Sequence, residues 1–457
     1  MSRAPGALAI VLHTHMPYVE GFGTWPFGEE WLWEAIATCY LPLLDALDAA
    51  PGRVTLSVTP VLGDQLEAPG APARCAAFLR ELRLESHRRD LASARDRAEV
   101  AALEHSAAAY AHAADALERG DLAARLAAHA SWTSAATHAV LPLLATAGGV
   151  RLQLATGVAA QRARAGGWAG GLWLPECAHA PWLDALLEEA GVRAACVDLT
   201  DVLGRGAAAQ LRPLRSPAGP LLVPIDRAVL ELVWSEAGYP GHGAYRDTHR
   251  FTAHRHQAWA VDGAAYDPPR AAAQARVDAQ DFVARAAERV RGGGLCVVAL
   301  DTELLGLHWH EGVLWLAEVL ATADRVGLRV APLDAVLDEA EPAPAPALPV
   351  TSWGAPRDLS TWSGPAAGGL AWRQRAAELR ALAAAPEVPD RALRELLALQ
   401  SSDWAFLIAH GTAGPYPAQR AAAHEAAFGA ALAAPSETAP ALRNLAPWLA
   451  SGALAAP

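Results

Sequence analysis

Short runs of almost wholly apolar residues recur between Leu8 and about Leu337 and alternate with stretches rich in Ala, Leu and Arg. Unbroken apolar runs are typical of parallel strands that are covered on both faces. Their alternation with helical stretches predicts repeated β–α units, which favour a closed or nearly closed barrel over an open sheet. The predicted strands are LAIVLHTH, VTLSVTPVL, RLQLATG, GLWLPE, AACVDLT, LLVPID, LCVVALD and LRVAPLD.

The chain divides into three predicted regions. Residues 1–338 form the barrel and include a helical insertion at about 75–130, where the sequence is charged and rich in Ala. Residues 339–349 form a linker of Pro and Ala, a composition that favours extended polyproline II geometry. Residues 350–457 are predicted to form an all-helical domain that closes over the mouth of the barrel.

The composition excludes several classes of partner. A net charge of −12 over 457 residues leaves no basic stripe to neutralise phosphates, so we expect no nucleic-acid partner. No apolar run is long enough to span a membrane, and the N-terminus does not have the pattern of a signal peptide. Five scattered cysteines without CxxC spacing are typical of reduced thiols, which predicts a cytoplasmic protein.

Two of the predicted strands lead directly into an acidic residue. Glu176 follows the apolar run of GLWLPECAH, and Asp301 ends the run of LCVVALD. Active sites of such barrels lie at the carboxyl ends of the strands, so we expect both carboxyls in one pocket. A pair of carboxyls surrounded by Trp and His is what the cleavage of a glycosidic bond requires. The alternative for Glu176 is a structural salt bridge.

Glu303 stands two residues after Asp301, and in an extended chain both side chains point the same way. Because Asp301 ends the apolar run, we assign it the role of the acid and predict that Glu303 supports it.

His13 and His15 are also two residues apart on a predicted strand, so their side chains share one side. Three interpretations are open: a pair of metal ligands, hydrogen bonding to sugar hydroxyls, or a packing role for one of them. A metal site would require a third ligand.

Two further motifs are ambiguous. Thr137 and His138 precede an apolar run in SWTSAATHAVLPLL, which is typical either of a helix cap or of a site. In LQSSDWAF, Ser402 or Asp403 is predicted to cap a helix. Capping does not explain Trp404, which we interpret as a platform for a sugar ring beside a hydroxyl-binding carboxylate.

The motifs HTHMP, ATHAVLP, WLPECA, ALDTELLGLHWHEG and SSDW, in this order, resemble those of glycoside hydrolase family 57. The segments VWSEAGYPGHGAYRD and SWG…STWSGP are similar to those of the 1,4-α-glucan branching enzymes in that family. The resemblance covers nearly the whole chain. It implies an incomplete (β/α)7 barrel with an inserted helical subdomain and a C-terminal all-helical domain.

The resemblance also implies roles for individual residues. Glu176 corresponds to the catalytic nucleophile and Asp301 to the general acid/base. No metal or organic cofactor is expected, which favours hydroxyl contacts for the two histidines. The expected substrate-binding residues are His13, His15, Trp25, His138, Trp173, His308, Trp309, Trp362, Asp403 and Trp404.

The implied reaction is a retaining transfer with an α-1,4-glucan as donor and acceptor, in which a 6-hydroxyl acceptor yields an α-1,6 branch. The alternative is an α-amylase or 4-α-glucanotransferase of the same family. A catalytically weak glucan-binding protein and, more remotely, a metal-dependent deacetylase with an HxH strand are further classes.

Branching enzymes of this family resemble one another in a mobile loop that places a Tyr over the cleft. The nearest candidate is Tyr239 in GYPG. This sequence departs from the pattern after GYPG, where His242 replaces the usual Asp, and its stretch from Thr252 to Pro268 is short. These departures affect the expected selection of the acceptor more than the chemistry at the carboxyls.

Overall fold

The structure of the protein is a computed structural model that describes residues 6–24, 27–235, 237–434, 442 and 444–455. Its described residues contain ten strands in one curled sheet: β1 Ala7–Thr14, β2 Thr55–Val58, β3 Ala130–Ser134, β4 Gly171–Trp173, β5 Ala194–Val197, β6 Leu214–Arg215, β7 Leu221–Pro224, β8 Leu295–Asp301, β9 Arg329–Val330 and β10 Ala343–Pro344.

Seven of these strands form an incomplete barrel, as predicted. They are parallel and follow the order β8, β1, β2, β3, β4, β5, β7. After β7, the N–H of Asp226 donates to the carbonyl of Val297 in β8 over 2.8 Å and brings the two ends of the sheet together. All eight residues of β1 are buried, which is the reason for its unbroken apolar run.

Helices surround this sheet. The α-helices of the described residues are α1 Glu29–Ala35, α2 Leu41–Ala49, α3 Pro60–Leu66, α4 Ala71–Ala77, α5 Leu84–Ser93, α6 Arg97–Leu117, α7 Leu122–His129, α8 Ala147–Ala165, α9 Asp184–Glu189, α10 Thr200–Leu203, α11 Arg227–Leu230, α12 Pro268–Arg289, α13 Gly312–Val326, α14 Leu333–Leu337, α15 Ser360–Ser363, α16 Gly368–Ala384, α17 Asp390–Leu399, α18 Ser402–His410 and α19 Tyr416–Ala433. Helices α4 to α7 form the insertion between β2 and β3, and α15 to α19 form the C-terminal helical region.

One predicted strand is wrong. The segment RLQLATG lies inside helix α8, which is buried along most of its length, including Leu152, Gln153 and Leu154. This helix packs against β3 on one side and against the C-terminal residues Ser451–Ala455 on another. Because it is covered on more than one side, its sequence has no single apolar stripe and has the appearance of a buried strand. The Thr146 hydroxyl, which accepts from the N–H of Gly149, caps its start.

Two other features were not predicted. Strand β3 carries the polar residues Ser131, Thr133 and Ser134, which obscure it in the sequence. Within the predicted linker, β10 pairs in parallel with β6, so this stretch lies along the sheet edge and is not a free spacer.

None of the helices in the described part of the chain is long and apolar enough to cross a bilayer. All five cysteines are buried and free, as the reduced-thiol interpretation predicted.

Candidate active site

The predicted carboxyls and histidines of the barrel all lie at the carboxyl ends of strands. His13 belongs to β1 and is paired in register with Ser57 of β2 on one side and with Asp301 of β8 on the other. His15 follows directly after β1, and Glu176 follows β4 within a short 3-10 turn. The polarity of the parallel strands therefore brings these groups to one edge of the barrel.

Glu176 sits on a strained turn. Its φ is +62° and that of Cys177 is +46°, a left-handed conformation that is uncommon for residues other than glycine. Such strain is concentrated at functional sites, where the surrounding contacts hold it in place. Here Trp353 holds the turn: its N–H donates to the carbonyl of Glu176 over 3.0 Å, and its indole Nε1 donates to Glu176 Oε2 over 3.0 Å.

The Ser402 hydroxyl lies near the carboxyl of Glu176 and acts to lower its pKa. In addition, Nδ1 of His138 lies 3.7 Å from Glu176 Oε1. Burial raises the pKa of Glu176, while the hydrogen bond from Trp353 and the nearby Ser402 hydroxyl act against this rise. These groups favour the ionised form, which is the form that a nucleophile needs.

Asp301 is in a different environment. Burial and then the charges of Glu303, Glu176 and Asp403 all raise the pKa of Asp301, to well above its usual range. Like charges that share a pocket oppose one another's ionisation, so Asp301 keeps its proton to higher pH than an ordinary aspartate does. The two carboxyls are therefore suited to different roles, one as an anion and one as an acid.

Glu303 is held in place by two hydrogen bonds near Asp301, whose pKa its charge raises. Its Oε1 accepts from the N–H of His15 over 3.0 Å and from the Tyr40 hydroxyl over 2.7 Å. Tyr40 ends a π-turn, Ile36–Tyr40, between α1 and α2. Burial raises the pKa of Glu303 to about 7, against the opposing effect of the Tyr40 hydrogen bond.

The histidines form one stacked, hydrogen-bonded group. The ring of His13 stacks on Trp173 with centroids 4.5 Å apart, and its Nε2 lies 2.9 Å from Nε2 of His138. The rings of His15 and His138 stack at 4.1 Å, and Nε2 of His15 lies 2.9 Å from Oδ2 of Asp403. Burial first, and then neighbouring histidines, hold the pKa of His13 and His138 well below their usual value.

The pair of His15 and Asp403 is charged. Burial acts to raise the pKa of Asp403, but the charge and hydrogen bond of His15 outweigh it and lower this pKa to about 2. Burial likewise acts to lower the pKa of His15, and Asp403 reverses the effect and raises it. Nδ1 of His15 is buried and has no hydrogen-bond partner among the described residues.

Distance alone would allow a metal ion here, because ligand atoms of His15, His138 and Asp403 lie within 4.8 Å of one another. However, Nε2 of His15 already bonds Asp403, and the two nitrogens of His138 bond Ser402 and His13. A metal would have to break these hydrogen bonds, so the residues fit a hydrogen-bonded group better than a metal site.

Several predicted aromatic contacts are not offered to a substrate in this structure. Trp404 is fully buried, and its Nε1 donates to the carbonyl of Ala398 over 2.8 Å, which speaks against the predicted stacking platform. Trp173, Trp309 and Trp362 are also at most 2% exposed. Trp173 supports His13 from behind, whereas Trp309 packs against Tyr245 and Trp315 in the core.

Tyr239 does not reach the carboxyls. It lies in a short 3-10 turn, Tyr239–Gly241, and its hydroxyl donates to Asp281 of helix α12 over 2.7 Å. Trp234 of the same loop lies nearer to Glu176, because its ring is 5.2 Å from that of Trp353, which donates to Glu176. His308 is exposed, and Trp25 lies outside the described residues.

Sequence analysis missed Trp353, Tyr40 and Ser57 and assigned Ser402 a different role. Either Ser402 or Asp403 was predicted to cap helix α18, but no side chain caps this helix. The hydroxyl of Ser402 instead bonds His138 over 2.8 Å, and Asp403 bonds His15. The sequence offered one signal for these roles, two serines and an aspartate at the start of a buried helix. Helix capping explains the same pattern equally well, so the pattern did not identify site residues.

Comparison with known proteins places this site in a family. Residues 132–329 match the model of glycosyl hydrolase family 57, and residues 373–446 match that of the C-terminal region of 1,4-alpha-glucan branching enzymes. The chain is 32% identical to a probable 1,4-alpha-glucan branching enzyme of Mycobacterium tuberculosis, over 93% of this chain and 91% of the relative. It is 31% identical to a 1,4-alpha-glucan branching enzyme of Thermococcus kodakarensis, over 93% of this chain and 73% of the relative.

Solved structures of similar proteins have the same fold as this chain. A crystal structure of a family 57 branching enzyme from Thermococcus kodakaraensis in complex with glucose has a TM-score of 0.88 and 29% identity and covers 99% of this chain and 96% of its own. An α-amylase from Thermotoga maritima shares the fold, with a TM-score of 0.81 and 22% identity over 99% of both chains. The resemblance noted in the sequence is confirmed, and the chain belongs to glycosyl hydrolase family 57.

Proposed function

We propose that this protein is a 1,4-α-glucan branching enzyme that works by a retaining mechanism with Glu176 as nucleophile and Asp301 as general acid/base. The observation that carries the proposal is the contrast between the two carboxyls. Trp353 donates to Glu176 and favours its anion, whereas burial and three neighbouring carboxyls raise the pKa of Asp301 and favour its protonated form. The match to branching enzymes along nearly the whole chain supports the specific activity.

In the first step, a carboxylate oxygen of Glu176 forms a bond to the anomeric carbon of an α-1,4-glucan. The bond from that carbon to the departing 4-oxygen breaks, and the proton of Asp301 moves to this oxygen. The product is a covalent glycosyl-enzyme and a shortened glucan.

In the second step, the 6-hydroxyl of an acceptor glucan attacks the anomeric carbon. Asp301 takes the hydroxyl proton, the bond to Glu176 breaks, and an α-1,6 branch results. Two inversions at one carbon retain its configuration. Water in place of the acceptor would give hydrolysis, so the yield of branches depends on keeping water from the intermediate.

The remaining site groups are suited to a sugar with many hydroxyls. Asp403, which is paired with His15 and keeps 18% of its side chain exposed, can accept a hydrogen bond from a substrate hydroxyl. We propose amylose or glycogen as donor and acceptor and, given the five free cysteines, a cytoplasmic location.

Linkage analysis of products from amylose tests the activity. Incubation followed by a debranching enzyme should release new short chains, because only branching creates α-1,6 linkages. The family alternative, an α-amylase or 4-α-glucanotransferase, would give reducing ends or longer α-1,4 chains with nothing for the debranching enzyme to cut. A lack of new α-1,6 linkages would overturn the proposal.

Rescue by azide tests the two roles separately. The change Asp301→Ala should lower turnover by about 10²- to 10⁴-fold, and added azide should trap the glycosyl-enzyme as an α-glycosyl azide. The change Glu176→Gly should abolish transfer, and azide in the vacated space should give the inverted β-glycosyl azide. Nuclear magnetic resonance of the products identifies the anomer, and exchanged configurations would reverse the assignment.

A further inference from the structure

We propose that the π-turn Ile36–Tyr40 positions the backbone that follows Asp301, and that Tyr40 is a positioning residue of the active site that acts through Glu303. The inference rests on the proposed role of Asp301 as general acid/base. It gives a function to an irregular turn between α1 and α2 that lies far from Asp301 in the sequence. The contacts of the turn with the residues after Asp301 carry the argument.

Pro42 weakens the regular α-helix at this point. A proline has no N–H, so Pro42 cannot give the carbonyl of Thr38 its α-helical hydrogen bond. Just before it, the N–H of Leu41 donates to the carbonyl of Ile36, a step of five residues instead of four. One extra residue in a helical turn shifts the side chains beyond it by about 100° around the axis. The π-turn therefore changes which side chains of this helix face the barrel.

Two side chains of the π-turn donate hydrogen bonds to the segment that follows Asp301. The thiol of Cys39 donates to the carbonyl of Thr302, the residue next to Asp301, over 3.1 Å. The Tyr40 hydroxyl donates to Oε1 of Glu303 over 2.7 Å. Both donors belong to fully buried residues, so each hydrogen bond is made without competition from solvent.

The backbone of the π-turn makes a third contact with this segment. Gly306 has a φ of +110°, and a Cβ there would lie 2.0 Å from the carbonyl oxygen of Thr38 and 3.0 Å from Cα of Cys39. Only glycine permits so close an approach of two backbones. The π-turn thus contacts residues 302–306 at both ends.

Glu303 connects Tyr40 to the rest of the site. The oxygen that accepts from Tyr40 also accepts from the backbone N–H of His15 over 3.0 Å. Nε2 of His15 in turn lies 2.9 Å from Oδ2 of Asp403. Without the Tyr40 hydroxyl, Glu303 would keep only one of these two donors, so the turn that follows Asp301 would be held less firmly.

A comparison of two donor substrates tests whether Tyr40 positions the acid. The phenyl group of phenyl α-maltotrioside needs a proton to depart, whereas α-maltotriosyl fluoride releases fluoride with little help from an acid. Tyr40→Phe should lower kcat/KM by about tenfold for the phenyl donor and by less than about threefold for the fluoride. Tyr110→Phe is the matched control, since the buried Tyr110 hydroxyl donates to Glu34 of α1 over 2.5 Å, and it should show no such contrast. Equal losses for the two donors in Tyr40→Phe would indicate a merely structural role and would overturn the proposal.

The backbone contact has its own pair of variants. Gly306→Ala sets a methyl group against the carbonyl of Thr38 and should give the same contrast between the two donors. The control is Gly327→Ala, at a φ of +72°, where a Cβ would meet no atom of the described residues within 4 Å. Both variants strain a left-handed backbone, so only the clash with the π-turn distinguishes them. The same contrast in Gly327→Ala would contradict the proposed role of the π-turn.

A measurement without substrate separates this inference from the proposed function. In protein labelled with ¹³C at the glutamate carboxyl, the resonance of Glu303 is assigned with Glu303→Gln and followed with pH. Loss of the Tyr40 donor should raise the pKa of Glu303 by roughly one unit, and Tyr110→Phe should leave it in place. An unchanged titration in Tyr40→Phe would overturn the proposal. If Asp301→Ala itself shows no contrast between the two donors, the proposed role of Asp301 fails, while the titration still decides whether Tyr40 holds Glu303.

Discussion

Glu303 forms no hydrogen bond to Glu176 or Asp301, yet its charge acts on the pKa of Asp301. Its position is fixed by the N–H of His15 and the hydroxyl of Tyr40. After burial, its charge is the largest cause of the raised pKa of Asp301. A single carboxylate can thereby set the pH range over which the acid keeps its proton.

We therefore expect Glu303→Gln to move the alkaline limb of the kcat/KM profile. This limb reports loss of the proton from Asp301, and removing a nearby negative charge makes that loss easier. The limb should move to lower pH by roughly half a unit to one unit, while Gln keeps an oxygen that accepts the same hydrogen bonds. Glu104→Gln, a change at an exposed site on α6, is the control. A limb that stays in place or moves upward would contradict the assignment of Asp301.

Among the elements, helix α8 begins at a buried carboxylate from another region. Glu378 of α16 accepts from the N–H groups of Ala145 and Thr146 over 3.0 and 2.8 Å, from the Thr146 hydroxyl over 2.6 Å, and from the amide of Gln400 over 3.0 Å. A negative charge at the start of a helix is favourable, and here it also joins the barrel to the C-terminal helices. A Cβ at Gly149 would lie 2.2 Å from Glu378 Oε1, so this close approach needs glycine.

Glu378→Ala should lower the free energy of unfolding by about 3 kcal/mol, because it leaves buried donors without an acceptor. Chemical denaturation measures the change. Glu387→Ala, at an exposed position that follows the same helix, should stay within about 0.5 kcal/mol of the wild type. Similar losses in the two variants would mean that Glu378 has no special role.

The loop after α11 brings Trp234, not Tyr239, toward Glu176. Trp234 is 36% exposed and contacts Trp353, which donates to Glu176, whereas the Tyr239 hydroxyl is held by Asp281. An aromatic side chain at the solvent boundary of the site is well placed to exclude water.

We expect Trp234→Ala to raise the ratio of reducing ends to new α-1,6 linkages severalfold, because water reaches the intermediate more easily. Trp234→Phe should keep most of the branching. Tyr239→Phe, which removes only the hydrogen bond to Asp281, serves as the comparison and should change the ratio less. A larger effect of Tyr239→Phe would indicate that Tyr239, and not Trp234, keeps water from the intermediate.

At the scale of the whole molecule, the site exists only where the barrel and the C-terminal helical region meet. His15 of the barrel bonds Asp403, and His138 bonds Ser402. Buried carboxyls elsewhere in the molecule make the stability of the whole fold depend on pH. Burial and then the charge of Glu34 raise the pKa of Glu30 to about 8.

Stability should therefore fall as pH rises between about 7 and 8.5. The raised pKa of Glu30 means that the folded protein keeps a proton that the unfolded chain has lost, so its stabilisation is lost as pH rises through about 8. Histidines have titrated in the unfolded chain below this window. The free energy of unfolding, measured by chemical denaturation, falls with pH across this window. Allowing for screening by solvent, Glu30→Gln should make this fall less steep by roughly 0.5–1 kcal/mol per pH unit. An equal dependence of the free energy of unfolding on pH in the wild type and in Glu30→Gln would contradict this prediction.

The sequence by itself determined the parallel barrel and the meeting of Glu176 and Asp301 at one edge. Apolar runs mark buried strands, and strands that share a direction bring the residues that follow them to the same end. These properties are local, so they can be predicted without knowledge of distant contacts. The strand predicted at RLQLATG was wrong. Because α8 is buried on more than one side, its sequence lacks the single apolar stripe by which a helix is predicted.

Only the tertiary structure decided which groups hold the nucleophile and which aromatic residues are available to a sugar. Trp353 is 177 residues from Glu176, and Ser402 is 264 residues from His138, so no local pattern indicates these hydrogen bonds. Trp404 has the composition of a sugar platform but is buried between helices. Side-chain exposure and hydrogen-bond partners depend on how the two regions pack together, and the site is built at that junction.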